Sequence, residues 1–327
     1  MTLIKRHPKL YLAGLALLLL VLFFIAINMG SIKVSPLQLL KGLFVDYNSD
    51  VASIYSIRFP RIFIAMCVGA ALGLSGLIFQ VVLKNPLADP GIIGISNGAS
   101  LAAVLVTTFF PQLYFITPLI AFVGGMITFI IIYLLSWQFG FKTTRILLIG
   151  VALNYTISGI ISLCTSSSMT LTSNVAGNIS LKTWSEAGNL MIYILPVILL
   201  ALCLAKACNL LGLEDRTLMS LGINVNIYRF GLSLIAVLLC SISVATAGVI
   251  SFIGLLVPHL SRVLIGNDHR ILLPSSCLMG AIILLAADTL GRVIMSPYEI
   301  SSAIIMAIVG GPVFIVLLKR SMTVDGK

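Results

Sequence analysis

The sequence is poor in charged residues, and this scarcity decides its broad class. Asp, Glu, Lys and Arg together make up 9% of the 327 residues, whereas soluble domains are about a quarter charged. Hydrophobic residues make up 59%, and several apolar stretches exceed the roughly 18 residues that cross a bilayer as a helix. A water-soluble globular protein is excluded. The sequence predicts an all-α, polytopic membrane protein.

Cysteine motifs are also missing. The six cysteines lie within or beside apolar segments, and the sequence contains neither a C-x-x-C pair nor a histidine at metal-ligand spacing from them. We therefore expect small buried hydrophobic side chains rather than disulfides, and we expect no metal site.

Acidic residues are scarce relative to basic ones. The chain has 20 Lys and Arg against 10 Asp and Glu, which gives a net charge of +10. Such an excess can indicate a nucleic acid partner, but cationic loops on the cytoplasmic side of a membrane produce the same balance. We therefore expect the lipid bilayer, and no nucleic acid, as a partner.

Ten apolar windows predict membrane helices. They span residues 10–29, 62–83, 92–110, 115–137, 146–165, 190–211, 230–250, 253–265, 272–290 and 302–318. The first is longer than a signal-peptide core and lacks a small-residue cleavage pattern, so we expect a retained span. The eighth is short and contains Pro258, which predicts a broken or re-entrant segment packed within protein.

The basic residues orient these spans. Ten spans put both termini on one side, and fourteen of the 20 Lys and Arg residues then fall on that side, with six on the other. The positive-inside rule therefore predicts that both termini are cytoplasmic. Residues 84–90 become an inner turn, and residues 211–229 become the largest cytoplasmic loop.

The inner turn KNPLADP interrupts the apolar pattern. Pro86 and Pro90 forbid continuation of the second helix, and Asp89 is expected to cap the third. Small residues flank the turn at helix-interface spacing, which fits close helix packing or a translocation path beside an inner gate. They are Gly69, Ala70, Gly73, Ser75, Gly76, Gly91, Gly94, Ser96, Gly98 and Ala99.

Asp288 is an acidic residue inside an apolar segment, which makes it a candidate functional group. It lies four residues before Arg292, so the two side chains would be neighbours on one helix. This spacing predicts a structural ion pair, and the alternative is a proton-relay carboxylate in a proton-coupled secondary transporter.

Five stretches together carry a family resemblance. They are RFPRIFIAMCVGAALGLSGLIFQVVLKNPLADPGIIGISNGAS (58–100), LGINVNIYR (221–229), GVISFIGLLVPHLSRVLIGNDHRILLP (248–274), LLAADTLGR (284–292) and IVGGPVFIVLL (308–318). In this order, and over nearly the whole chain, the sequence closely resembles the FecCD-type permeases. These are the membrane subunits of type II ABC importers for iron-siderophores, haem and cobalamin.

The resemblance implies a single transmembrane permease domain over residues 1–327, with ten helices in the type II ABC importer permease fold, in a bacterial cytoplasmic membrane. It implies a homodimer or a paralogue pair, two ATPase subunits that carry ATP and Mg, and an extracellular or periplasmic substrate-binding protein. This chain would bind no cofactor and would not be an enzyme. Consistently, it has no G-x-x-x-x-G-K-[ST] phosphate loop.

The resemblance also assigns the loop 211–229 to contact with the ATPase. Charged side chains would flank the contact, apolar ones would fill a groove on the ATPase, and Gly222 would supply a turn. The alternative is a solvated loop with stray apolar residues. The expected coupling residues are Glu214, Asp215, Arg216, Leu218, Leu221, Gly222, Ile223 and Arg229.

On the outer side, the resemblance assigns Arg58, Arg61 and Arg292 to docking of the binding protein, since guanidinium pairs bidentately with carboxylate. Glu299 is expected to orient Arg292. The alternative is that these arginines anchor helix ends at the membrane interface.

For the inner gate, the resemblance points to Asn85, Leu87, Thr143 and Thr144. The polar loop 165–188 is expected to lie over the outer entrance. His259 and His269 could suggest haem ligation, but histidines near helix ends are more often hydrogen-bonding residues.

Taken together, the sequence predicts an import permease for an iron complex, either a ferric siderophore or haem. A cobalamin importer permease and a proton-coupled secondary transporter are the alternatives. The sequence does not name the cargo.

Overall fold

The computed structural model describes residues 7–29, 54–137, 143–166, 179–180, 182–295 and 298–325, with side chains described for all of these except 137, 143–144, 166 and 317–325. Twelve α-helices cover most of the described chain. They are α1 (Pro8–Asn28), α2 (Phe59–Val82), α3 (Ile95–Phe109), α4 (Thr117–Trp137), α5 (Thr143–Ser166), α6 (Trp184–Cys203), α7 (Ala205–Leu211), α8 (Asp215–Ser220), α9 (Val225–Ala247), α10 (Ile253–Ile265), α11 (His269–Val293) and α12 (Ser302–Asp325). A π-helical turn, Ile54–Arg58, precedes α2, and a 3-10 segment, Pro111–Ile116, precedes α4.

Within the described residues, seven helical segments are long and apolar enough to cross a membrane. They contain α1, α2, α4, α5, α6, α9 and α11. Three shorter apolar helices, α3, α10 and the first part of α12, coincide with the remaining predicted windows. The all-α polytopic class is therefore confirmed, although two of the ten predicted spans, α3 with 15 residues and α10 with 13, fall short of a full crossing by length.

Helix α2 forms the centre of the bundle, because glycine lets other helices approach its backbone closely. A Cβ atom added to Gly69 would lie 2.3 Å from the carbonyl oxygen of Gly280 in α11. One added to Gly76 would lie 2.1 Å from the carbonyl oxygen of Gly254 in α10. The predicted small-residue pattern on α2 thus serves helix packing.

The sixth predicted window, residues 190–211, is wrong at both ends. Helix α6 begins at Trp184, six residues earlier, because Thr183 and Glu186 form a reciprocal capping box. It ends at Cys203, and the chain turns at Leu204 before α7. The apolar pattern continues through this break, so hydropathy alone could not locate it.

Helix α10 has the character expected of the eighth window. It is 13 residues long, contains Pro258, and is buried over most of its length. Phe252, its N-cap, has a left-handed backbone conformation with φ of 70°. A Cβ added to Gly310 in α12 would lie 2.7 Å from the Phe252 side chain. The short helix is therefore packed within protein.

Candidate functional site

The end of the bundle that the charge distribution assigns to the outside contains a buried cluster of four charged side chains. This outer ion cluster comprises Arg61, Asp288, Arg292 and Glu299. Arg61 Nε donates to Asp288 Oδ1 and Oδ2 at 2.9 and 3.0 Å, and Arg61 Nη1 donates to Glu299 Oε2 at 2.6 Å. Asp288 is fully buried and Arg61 is 3% exposed. The cluster therefore joins α2, α11 and the segment before α12.

Arg292 completes the cluster from the last turn of α11. Its Nε lies 3.5 Å from Asp288 Oδ2, so the two predicted i,i+4 partners are in fact neighbours. The nearer partner of Asp288 is nevertheless Arg61, which is 227 residues away in sequence. Arg61 Nη2 and Arg292 Nη1 are buried without a hydrogen-bond partner among the described residues.

Glu299 and Arg58 lie at the rim of this cluster. The carboxylate of Glu299, expected to orient Arg292, instead accepts from Arg61 and is 43% exposed. Burial would raise the pKa of Glu299, but hydrogen bonds from Arg61 and Ser180 outweigh burial and lower that pKa below its usual value. Arg58 is half-buried, and its Nη1 donates to the carbonyl of Ile27 at 2.6 Å, which ties α1 to the start of α2. Of the three predicted docking arginines, two are thus buried and one is half-buried.

At the inner end, the predicted coupling loop is an ordered helix-turn-helix. Helix α8 ends in a glycine cap: Gly222 has φ of 75°, its N–H donates to Met219 O, and the N–H of Ile223 donates to Leu218 O. The side chain of Asn224 then accepts from the first turn of α9. Gly222 therefore occupies the turn position assigned to it.

Three charged residues brace this helix-turn-helix against the inner turn. This inner ion bridge comprises Lys84, Asp215 and Arg229. Asp215 Oδ1 accepts from Lys84 Nζ at 2.8 Å, and Asp215 Oδ2 accepts from Arg229 Nη2 at 3.0 Å. The hydrogen bond from Lys84 is the main cause that lowers the pKa of Asp215 below its usual value, despite partial burial. Sequence reasoning did not include Lys84, because its pairing with Asp215 spans 131 residues.

The apolar coupling residues face in two directions. Leu221 is 63% exposed, and Met219 and Ile227 in the same helix-turn-helix are also exposed. We call these three residues the coupling surface. Leu218 is fully buried, so a partner could not contact it in this structure, contrary to the expectation. The side chain of Ile223 is half-buried, whereas Glu214 and Arg216 are exposed.

The inner turn is built by its own polar side chains. Asn85 Oδ1 accepts from the N–H of Leu87 at 2.9 Å, and Asp89 Oδ1 accepts from the N–H groups of Gly91 and Ile92. The expectation that Asp89 caps the third helix is wrong, since α3 begins at Ile95, after a further turn. Burial raises the pKa of Asp89 to about 6.

The remaining predicted gate residues are only partly described. The backbone of Thr143 and Thr144 begins α5, but their side chains lie outside the described residues, as does most of the outer loop 165–188. The two histidines lie near the inner end. His269 Nδ1 is 2.7 Å from Asn209 Oδ1, and the described residues contain no cluster of three or more His, Cys, Asp or Glu that could hold a metal ion.

A bundle with seven helical segments long and apolar enough to cross a membrane among the described residues defines a multi-pass membrane protein. The chain belongs to the FecCD transport family, whose model matches residues 18–320. It is 40% identical over 318 residues to the "Probable heme-iron transport system permease protein IsdF" of Staphylococcus aureus, covering 97% of this chain and 98% of that protein.

Solved structures agree with this assignment. An inward-facing structure of a transporter of the metal-chelate ABC type superposes with a TM-score of 0.81 at 29% identity, covering 96% of this chain and 99% of that one. PsaBC from Streptococcus pneumoniae, at 19% identity and a TM-score of 0.58, shares the fold. The chain thus has the type II ABC importer permease fold. It is a transport subunit and not an enzyme, and its class implies separate ATPase and substrate-binding partners.

Proposed function

We propose that residues 1–327 form one permease domain of an ABC importer that carries an iron complex from an external binding protein into the cytoplasm. The observation that carries this proposal is the coupling surface, a set of exposed apolar side chains around the hydrogen-bonded turn at Gly222, in a chain without a phosphate loop. An exposed apolar patch rimmed by charged residues is typical of a protein contact. An ATPase subunit that docks there would supply the ATP and Mg that this chain does not bind.

In the coupling contact, the exposed apolar residues and the charged residues would have different roles. Leu221 and its neighbours would enter the ATPase groove, while Glu214 and Arg216 would flank it. Asp215 and Arg229 would transmit movement, because the inner ion bridge links α8 and α9 to the inner turn at Lys84. Leu218 and Gly222 would hold the shape of the turn from inside.

Haem is the cargo that the comparisons favour. The relative at 40% identity is named as a haem-iron permease, and the similarity extends over nearly both chains. Ferric siderophores and cobalamin are the alternatives that the family leaves open. No haem ligand on this chain is part of the proposal, since the cargo would arrive by handover and must leave quickly.

The outer ion cluster would form the docking site for the binding protein. Arg61 and Arg292 are buried, so they would act from beneath the contact by holding α2 and α11 in place behind Glu299, which is exposed at the rim. Arg58 would make the first contact, because it lies at the rim. Asp288 and Arg292 would remain a structural ion pair within this site.

Asn85, Leu87, Thr143 and Thr144 would form the inner gate. The support is the rigid turn at residues 85–92, which places Asn85 and Leu87 beside the inner ion bridge through Lys84. Movement of α8 would reach the gate by this route.

A second permease copy would complete the pathway. Helix α5 supports this proposal, because Leu148, Tyr155 and Leu163 are 67%, 77% and 73% exposed along it. The charge distribution supports cytoplasmic termini, and the family with its bacterial relatives supports the bacterial cytoplasmic membrane as the location. A cysteine at Tyr155 should cross-link between copies in membranes, whereas one at Leu17 on exposed α1 serves as the control.

The test of the proposal is reconstitution with its partners. Proteoliposomes that contain the permease, the cognate ATPase and the binding protein should accumulate haem only with ATP and Mg. A ferric siderophore and cobalamin, each with the same binding protein, provide the cargo controls. ATP-dependent uptake of cobalamin but not haem would refute the cargo, and uptake that needs only a proton gradient would refute the transport class.

A further inference from the structure

A cavity of about 250 Å³ opens at the inner end of the bundle, between α2, α4, α5 and α9. Its walls are mainly apolar and include Phe79, Phe129, Ile132, Tyr133 and Phe230. The coupling surface does not line this cavity, and neither do the gate side chains Asn85 and Leu87.

The mouth of this cavity is positively charged. Lys84 and Arg229 both line it, and they share the single carboxylate of Asp215. Two cations against one anion leave a net charge of +1 at the opening. In addition, Arg229 Nε is buried without a hydrogen-bond partner among the described residues, so a donor remains for an anionic group.

Two buried hydroxyl groups also line the cavity. Ser136 and Ser233 are 0% and 1% exposed, and neither hydroxyl has a hydrogen-bond partner among the described residues. Helical serines commonly bond to the carbonyl four residues earlier, as Ser243 does. Buried polar groups are normally hydrogen-bonded, so these two hydroxyls, which line the cavity, leave two donors for a molecule with acceptor atoms inside it.

We propose that this cavity binds one anionic phospholipid from the inner leaflet. The phosphate lies at Lys84 and Arg229, the ester carbonyls accept from Ser136 and Ser233, and part of an acyl chain lies against the aromatic wall. A free phosphate would leave that wall empty, and a neutral lipid would leave the positive mouth uncompensated. Basic sites between helices on the cytoplasmic side are suited to such headgroups.

This lipid would lie directly behind the coupling helix α8. Asp215 and Arg229 belong both to the cavity mouth and to the inner ion bridge, so occupancy would hold the bridge in place. The lipid proposal rests on the proposed function in one respect: both place this end of the bundle on the cytoplasmic side of the membrane. The binding test below does not depend on cargo or ATP.

The test is native mass spectrometry of the purified full-length permease. Phosphatidylglycerol or phosphatidylcholine with identical acyl chains is added in detergent, and the lipid that stays bound after the detergent is removed in the spectrometer is measured. The wild type should retain one phosphatidylglycerol at least tenfold more tightly than phosphatidylcholine. The double substitution Lys84→Gln and Arg229→Gln should abolish this preference. Arg270→Gln, which removes an exposed charge on α11 outside the cavity, should leave it unchanged.

The interior is tested separately. Ser136→Ala with Ser233→Ala should weaken phosphatidylglycerol binding several-fold, whereas Ser241→Ala should not, although Ser241 is equally buried and unpartnered on α9. Ser233→Phe should fill the cavity and weaken phosphatidylglycerol binding at least tenfold. If that variant does not fold, the variant with Ser136→Ala and Ser233→Ala tests whether lipid occupies the interior.

Three results would overturn the proposal. The first is equal retention of the two lipids by the wild type. The second is lipid retention that stays unchanged in both double variants, the one with Ser136→Ala and Ser233→Ala and the one with Lys84→Gln and Arg229→Gln. The third is displacement of the lipid by millimolar inorganic phosphate, which would identify a phosphate site instead.

Discussion

Each end of the bundle holds an aspartate between two basic side chains, but the two ion networks differ in exposure. In the outer ion cluster, Arg61 and Asp288 are 3% and 0% exposed. In the inner ion bridge, Lys84 and Asp215 are 36% and 40% exposed. The contact distances are nearly equal, at 2.9 and 2.8 Å. Distance therefore does not distinguish the two networks, whereas burial does.

Burial changes what each network can do. An exposed ion pair contributes about 0–1 kcal/mol, so it can break and re-form as a partner moves. A buried pair has lost its water, and removal of one partner leaves an uncompensated charge. The outer cluster thus fixes α2 and α11 relative to each other, and the inner bridge is suited to transmit movement.

The largest expected effect comes from breaking the outer cluster. Asp288→Ala leaves Arg61 and Arg292 buried without their shared anion, and we expect it to lower the free energy of unfolding by about 3–5 kcal/mol. Thermal denaturation of the detergent-purified protein measures this loss. Glu299→Gln is the control, because Glu299 is at the rim and its loss should cost about 1 kcal/mol or less. Equal losses in the two variants would contradict the comparison.

A carboxylate outside both networks, that of Asp89, sharpens the comparison, because it is buried and, among the described residues, accepts only from the backbone N–H groups of Gly91 and Ile92. Its pKa is raised to about 6, above the value of 3.8 expected in the unfolded chain. The folded state therefore binds the proton more tightly, so stability should rise as pH falls from 7.5 through 6 and level off near 4.

Asp89→Asn keeps an acceptor for Gly91 and Ile92 but cannot titrate. Unfolding temperatures of this variant and the wild type, measured across the same pH range, should converge towards pH 4 and separate above pH 6. A constant difference at every pH would show that Asp89 does not titrate in this range.

The coupling surface should affect transport without affecting stability. Leu221→Asp places a charge in the proposed ATPase groove, so ATP-dependent uptake should fall at least tenfold, while the unfolding temperature stays unchanged because the side chain is exposed. Leu221→Met is the conservative control and should retain uptake. Normal uptake by the aspartate variant would remove Leu221 from the contact.

The smallest expected effect comes from the inner ion bridge. Asp215→Asn removes both pairs with Lys84 and Arg229, and we expect a stability loss of about 0.2–1 kcal/mol because the groups are solvated. Glu214→Gln, at the neighbouring exposed position, should cost less. A loss comparable to that of Asp288→Ala would mean that exposure does not separate the two networks.

Much of the fold follows from the sequence, because membrane helices are encoded locally. The length of the apolar stretches predicted the helices, and the spacing of glycines on α2 predicted a closely packed face, which contacts Gly280 and Gly254. The break at Leu204 was missed, because both flanking helices are apolar. Hydropathy reports solubility in lipid and does not report backbone direction.

The contacts within the candidate site were predictable where the residues are close in sequence. The neighbours Asp288 and Arg292 follow from i,i+4 spacing, whereas the turn at Gly222 follows from the family resemblance. The pairing of Arg61 with Asp288, that of Lys84 with Asp215, and the inner cavity join distant segments, and no local spacing contains them. The burial of Leu218 was missed for a related reason: a helix of six residues is too short for its period to define a face.

The most direct measurement is made on the permease alone, reconstituted in liposomes without ATPase, with cargo outside and a proton gradient imposed. The account predicts no accumulation of cargo above its external concentration, because the driving force enters only through the coupling surface. Accumulation against the concentration gradient by the isolated permease would contradict the account.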